Sequence, residues 1–275
     1  MNRIDQVFLR KPGLHFIPFI TAGDPDAETT VEMALMLQDL GASIIELGVP
    51  YSDPLADGPV IQRASIRALE SGMSLEKAMH LVPVMREKGL DIPVIIFTYY
   101  NPLLQLTEDR FFRKAEACDI DGLLVPDLPF EESVSLRRRC RKAGVKYISL
   151  VAPTTSMKRL AGIGREAEGF LYCVSSLGVT GERDHFHPDV HRFLAQVRSA
   201  SHVPIAVGFG ISSRRQIEAL RGTVDGFIVG SAIVKEMEAR IERLRERDAR
   251  RAAVEEIRQA LTARFFEGAS QGERS

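Results

Sequence analysis

The sequence predicts a (β/α)8 TIM barrel folded as a single α/β domain, and three observations carry that prediction. Eight short apolar runs alternate with amphipathic segments along 275 residues. The runs are apolar on both faces, as strands must be when one face fills a barrel and the other packs on helices. Glycine-rich turns follow the last two runs, where barrels place their ligand loops. The strands are expected at 15–21, 43–47, 93–98, 122–125, 146–151, 169–174, 204–207 and 226–229. Between them a period near 3.6 predicts helices at 28–40, 75–88, 108–118, 131–142 and 214–221. Right-handed crossovers between such units close most economically into a ring, and an open doubly wound sheet is the competing architecture. Asp121-Gly122 before the fourth strand and Asp225-Gly226 before the eighth hint at a repeated half. The barrel is expected over residues 1–267, with 268–275 as a frayed C-terminal tail.

Composition narrows the function. A chain with 45% apolar residues builds one large core, and barrels of this size commonly form one domain. Its formal net charge is −1, and its 36 basic residues form no long block. That gives no electrostatic footprint for nucleic acid or membrane, so small molecules or proteins are the expected partners. Residues 1–10 lack the apolar core of a signal peptide and no later run approaches a bilayer span, so the cytoplasm is the expected location. Cys118, Cys140 and Cys173 are far apart, without metal or redox spacing, and read as reduced thiols.

The most informative stretch runs from Glu46 to Pro59, where a carboxylate closes an apolar strand and opens a loop stiffened by Pro50 and Pro54. By strand alternation Glu46 shares a face with Ile44, while Ile45 and Leu47 point the other way. If Ile44 fills the barrel, Glu46 lies at its mouth, where apolar walls raise its pKa and let it both give and take a proton. The plainer reading is a solvated strand-end charge or a partner for an arginine. Asp57 alone reads as the first half of an Asp-Gly turn, and gains interest only beside Glu46. Tyr172 alternates with Phe170 and Val174, so it is either a core aromatic or a hydroxyl aimed at a rim carboxylate.

Gly208-Phe209-Gly210 follows strand seven and Gly230-Ser231 follows strand eight, a pairing that lets backbone N–H groups cradle a phosphate at a helix start. Gly178 to Gly181 forms a third such loop. The plainer alternative is that these glycines only turn strands into helices. His185, His187 and His191 invite a metal reading, but their spacing matches no standard zinc pattern and no metal is expected.

Taken together, residues 18–25, 46–59, 125–129, 178–181, 208–211 and 230–234 closely resemble the tryptophan synthase alpha subunit family, over about residues 1–240. The resemblance implies retro-aldol cleavage of indole-3-glycerol phosphate to indole and D-glyceraldehyde 3-phosphate in tryptophan biosynthesis. It implies Glu46 as the acid/base, Asp57 as the stabiliser of the indole N–H, and Tyr172 as an aid to Glu46. Phe19, Leu124 and Phe209 match the family's indole pocket, and Gly181, Gly210, Gly230 and Ser231 its phosphate cradle. A backbone cradle would need no Lys or Arg. Residues 175–187 correspond to a lid, with Thr180 expected to meet Asp57 on closure. Pro50 and Asp53 match the face toward a beta subunit, which carries pyridoxal phosphate, receives the indole and completes an alpha2beta2 heterotetramer. No cofactor is implied in this chain.

Two departures matter. Ser176 stands where many family members carry Arg, and the charged stretch 235–264 is longer than usual and reads as a solvated outer helix. Rival readings are another phosphosugar barrel such as an isomerase or epimerase, a free-standing indole-3-glycerol phosphate lyase, and a quiet barrel that only activates a beta subunit.

Overall fold

Side chains on a strand point alternately to its two faces, and the buried core of this protein sorts by that parity. The structure, a computed structural model, describes residues 1–10, 13–174, 188–208 and 210–266. Its first elements are α1 (Arg3–Arg10), β1 (His15–Thr21), α2 (Ala27–Asp39), β2 (Ile45–Gly48), α3 (Pro59–Glu70), α4 (Leu75–Glu87) and β3 (Val94–Phe97). Next come α5 (Tyr100–Leu106), α6 (Glu108–Ala117), β4 (Gly122–Leu124), α7 (Val134–Lys142), β5 (Lys146–Tyr147), β6 (Ser149–Val151) and α8 (Met157–Glu166). The last are β7 (Leu171–Val174), α9 (Pro188–Ala200), β8 (Ile205–Gly208), α10 (Arg214–Leu220), β9 (Gly226–Val229), α11 (Ser231–Glu238), α12 (Ile241–Arg245) and α13 (Arg247–Phe265).

Every strand pairing is parallel, in the order β5-β4-β3-β2-β1-β9-β8-β7-β6. The two ends of that ladder, β5 and β6, are halves of one segment, so the predicted fifth strand at 146–151 trades partners at Ile148. Its first half bonds β4 and its second half β7, and the ring closes through that residue. Inside lie Ile17, Phe19, Ile44, Ile95, Phe97, Leu124, Phe170, Tyr172, Ala206 and Ile228. Outside, under the helices, lie the alternate residues, among them Ile45, Leu47, Val94, Ile96, Leu171, Cys173, Ile205 and Val207.

The N-terminal end of the barrel is plugged. Ile4 of α1 is fully buried in the interior cluster, and Arg3 Nε donates to Asp121 Oδ1 at 2.6 Å. The repeated half has a physical counterpart there. Asp121 Oδ2 accepts the N–H of Val94 at 2.9 Å and Asp225 Oδ2 that of Ile205 at 2.8 Å, so each aspartate ties down the start of the preceding strand. Arg86 of α4 pairs with Asp121, and Arg198 of α9 with Asp225. With one end closed in this way, chemistry belongs to the other.

The C-terminal stretch departs from the expected solvated helix. It divides into three helices, and α13 buries Ala253, Val254, Ile257, Leu261 and Phe265, an i, i+3/i+4 stripe. Arg250 is buried too, donating to Leu244 O at 2.8 Å, Glu28 Oε2 at 2.9 Å and Asp26 Oδ2 at 3.0 Å, which locks α13 onto α2. Helix α7 also starts three residues later than expected, because 131–133 turn rather than wind. The tail at 268–275 lies outside the described residues.

Where α8 crosses α9, a Cβ on Gly164 would meet the Ala200 carbonyl oxygen at 2.2 Å. Backbone cannot yield as a flexible side chain does, so Gly164→Ala is expected to destabilise the protein by about 1–3 kcal/mol despite alanine's better helix propensity. The urea midpoint measures this, and an unchanged midpoint contradicts the packing described.

Candidate active site

Glu46 follows the parity of the strand: it lies on the interior side with Ile44, in register with Phe19 of β1 and Ile95 of β3. It is fully buried, and neither carboxyl oxygen has a hydrogen-bond partner among the described residues. The sequence places it at the barrel mouth; the structure sets it deeper, shielded from solvent. Burial alone pushes its pKa up to about 8. A carboxyl so placed is neutral over most of the physiological range, and close enough to ionising to pass a proton either way.

Above it opens a cleft of about 290 Å3 at the C-terminal ends of the strands. Phe19, Val60, Ile61, Phe97, Tyr172 and Ile228 give it apolar walls that suit a flat ring, and Asp57 lies among them. The aromatic walls exist because glycines stand beneath them. A Cβ on Gly48 would fall 2.3 Å from Phe19 Cζ, and one on Gly208 2.4 Å from Tyr172 Oη. Glycines that read as loop signals therefore also make room for rings.

Asp57 is partly buried, and its Oδ2 accepts from the Tyr99 hydroxyl at 3.0 Å, while that same hydroxyl oxygen accepts from the Ala56 N–H at 2.9 Å. Burial raises the Asp57 pKa to about 6 against the lowering effect of Tyr99. Tyr172 is buried, and its hydroxyl is held protonated first by burial, then by the nearby charges of Glu46 and Asp57. The three groups therefore share one electrostatic environment. Sequence reasoning missed Tyr99, although it stands two residues past β3, on the rim where barrel chemistry gathers.

The polar end of the cleft is lined by Gly210, Ser212, Gly230 and Ser231, where α11 begins. No described side chain caps that helix, whose start at Gly230 and Ser231 brings the positive end of its dipole to this end of the cleft. Gly210 needs its φ of 79°, a left-handed conformation that glycine adopts without strain. Behind this wall Arg67 binds Asp24 at 2.7 and 2.9 Å and Glu238 at 2.9 Å, and Arg63 also binds Glu238. These pairs fasten α3, which follows the Asp57 loop, to α11. Arg63 first, then Arg67, hold Glu238 down to about 2.

Leu124 is buried in the interior cluster but does not line the cleft. Pro50 and Asp53 line a separate depression of about 480 Å3 with Tyr51, Asn101 and Pro102, and Asp53 accepts from Ser52 Oγ at 2.6 Å. Thr180, Gly181, Phe209, Ser176 and the rest of 175–187, with His185 and His187, lie outside the described residues. The described residues contain no group of three or more His, Cys, Asp or Glu that could hold a metal ion, and no helix long and apolar enough to cross a membrane. Two cations that the sequence reading did not name, Lys235 and Arg264, line the same polar end of the cleft. The sequence carried a weak signal for Lys235, one turn after Ser231, and none for Arg264, which arrives from the far end of the chain.

The family model for the tryptophan synthase alpha chain matches residues 8–263. The chain is similar to the tryptophan synthase alpha chain of Shouchella clausii, 59% identical over 253 residues, covering 92% of this chain and 94% of that one. It is 58% identical over 235 residues to that of Halalkalibacterium halodurans, covering 86% and 88%. Among solved structures it is similar to a chain of the tryptophan synthase α2β2 complex from Pyrococcus furiosus, with TM-score 0.82, 34% identity and coverage of 91% and 97%. A second is tryptophan synthase subunit alpha from Legionella pneumophila, with TM-score 0.80, 34% identity and coverage of 96% and 99%.

The raised pKa of Glu46 has a consequence for stability. A carboxyl whose pKa rises on folding contributes fully below its unfolded value, near 4.5, and loses that contribution as pH climbs through about 8. Glu46→Gln removes the loss, so the variant is expected to gain on the wild type between about pH 5 and pH 8, by on the order of a few kcal/mol. Urea unfolding at the two pH values reads it; parallel pH dependences would mean that Glu46 ionises in the folded state as easily as in water.

Proposed function

The chain belongs to the tryptophan synthase alpha chain family, and on that premise we propose that its cleft binds indole-3-glycerol phosphate and cleaves it with Glu46 as the proton carrier. The reaction is a carbon–carbon lyase step giving indole and D-glyceraldehyde 3-phosphate. The supporting observation is a single one: a fully buried carboxyl with a pKa of about 8 and no hydrogen-bond partner among the described residues, beneath an apolar cleft whose other end holds the start of a helix that no described side chain caps.

The steps balance on one carboxyl. Protonated Glu46 gives its proton to C3 of the indole, whose C2–C3 π electrons form the new C–H bond while the ring nitrogen becomes cationic. Ionised Asp57 lies within the same walls and stabilises the N–H as that charge develops. Glu46, now a carboxylate, removes the proton of the hydroxyl on the adjoining side-chain carbon. The O–H electrons become the aldehyde C=O, the bond to C3 breaks, and its pair restores the aromatic ring and neutralises the nitrogen. Glu46 ends protonated, as it began. Tyr172, protonated and within the field of both acids, orients Glu46. Phe19 holds the ring, and the phosphate rests on N–H groups of Gly210, Gly230 and Ser231.

This chemistry asks for no cofactor in the chain itself. Pyridoxal phosphate belongs to the beta subunit, the partner in an α2β2 assembly like the one from Pyrococcus furiosus. Pro50, buried, and Asp53, exposed, form part of the face toward that partner, and the cytoplasm is where the pair works.

Indole release from indole-3-glycerol phosphate, with and without a beta subunit, tests the reading. Glu46→Gln is expected to lower kcat by on the order of 10²–10⁴-fold while substrate still binds, because an amide keeps the shape and cannot shuttle a proton. Near-normal turnover in that variant would remove Glu46 from the mechanism. The pH profile follows from the same two acids. Activity needs Asp57 ionised and Glu46 protonated, so the rate should rise through about 6 and fall through about 8. A profile that keeps its alkaline limb in Tyr172→Phe and loses its acid limb in Asp57→Asn supports the assignment; an acid limb unchanged in Asp57→Asn removes Asp57 from it.

A further inference from the structure

The anion end of the cleft holds more charge than a backbone cradle requires. Lys235, one turn into α11, and Arg264, in the last turn of α13, both line it. Lys235 is exposed and makes no ion pair or hydrogen bond among the described residues. Arg264 is aimed rather than loose: its Nε donates to the Ser212 carbonyl at 2.5 Å, and its guanidinium lies 5.6 Å from the Phe265 ring. Among the described residues its nearest carboxylate oxygen, on Glu236, is 4.0 Å from Nη1, too far for a hydrogen bond. Among the described residues Asp57 is the one acid that lines this cleft, against the two cations Lys235 and Arg264.

Part of the β8 loop is also closed to a ligand. The Gln216 side-chain oxygen accepts the N–H of Ser212 at 2.7 Å and of Ser213 at 3.1 Å, and its amide donates to Gly210 O at 3.0 Å. Two amides that could have met a phosphate are therefore spent on holding the loop in shape. We propose that Lys235 and Arg264 are recognition residues for the dianionic phosphate of the substrate, and that α13 is part of the binding site through Arg264. The inference rests on the function proposed above and deepens it. A guanidinium fixed at Nε keeps its remaining N–H groups in a preset fork, and a mobile ammonium beside it adds a point charge. Charge at the mouth also draws the substrate in from solution, an effect that salt screens.

The test uses the full chain with its beta subunit and the variants Lys235→Gln, Arg264→Gln and the double substitution, with Arg264→Lys as the conservative control. The double variant should raise KM for indole-3-glycerol phosphate by roughly tenfold and leave kcat within about twofold. It should weaken competitive inhibition by glycerol 3-phosphate by a similar factor, and flatten the salt dependence of kcat/KM. Turnover of indole-3-glycerol, which lacks the phosphate, should be unaffected. Arg264→Lys should recover part of the loss. An unchanged KM and unchanged inhibition by glycerol 3-phosphate overturn the proposal, as does an equal loss on both substrates, which would mean that Arg264 only props the loop. Calorimetric titration of glycerol 3-phosphate into wild type and double variant separates the two readings. If the wild type binds this probe more tightly than the variant yet cleaves no indole-3-glycerol phosphate, the recognition residues stand and the lyase assignment falls.

Discussion

Burial of a carboxyl with no hydrogen-bond partner among the described residues is the constraint on which the rest of this barrel depends. An ionised glutamate in that position would cost several kcal/mol, and the protein meets the problem by keeping Glu46 neutral. Parity makes the placement unavoidable. Ile44 and Gly48 face inward, so residue 46 between them does so as well, and its side chain is fully buried. The interior then acts as a dry wall that sets the proton affinity of the group, which is how one residue type serves as both acid and base in the proposed cycle.

The cleft over that carboxyl is a matter of packing. Phe19 lies over Gly48 and against Gly230, and Tyr172 over Gly208, so the apolar walls and the glycine turns are one construction. A Cβ at Gly48 or Gly208 would collide with a ring of the wall. Two further fastenings hold the geometry. The pairs among Asp24, Arg63, Arg67 and Glu238 bind the helix after the Asp57 loop to the helix at the polar end of the cleft. Arg250 clamps the terminal helix onto α2, which carries Arg264 to the cleft although it lies 33 residues beyond Ser231 in the sequence. Chemical groups at opposite ends of the cleft thus share a rigid frame at the open face, while α1 and the Arg3–Asp121 pair close the other.

Asp121 and Asp225 illustrate what local sequence conveys and where it stops. Each precedes a glycine at the start of a strand, and each secures the first N–H of the strand before it. The dipeptide is visible in the chain, and so is its spacing by four units. Its partners, Arg86 and Arg198, become visible only when the helices have folded back.

The sequence by itself determined the eight-unit alternation, the inward face of Glu46, the glycine turns after the last two strands and the family resemblance. These are legible because strand period, helix period and turn chemistry are local properties of a few adjacent residues. Only the tertiary structure decided that the fifth strand shares its two halves between β4 and β7, that Tyr99 supports Asp57, and that Leu124 stays beneath the cleft rather than in its wall. It also decided that the long charged C-terminal stretch becomes a packed helix delivering a cation to the site. The reason is the same in each case: these facts are distances between segments far apart along the chain, set by ring closure and by which helix face is left to cover which strand, and no window of neighbouring residues encodes them.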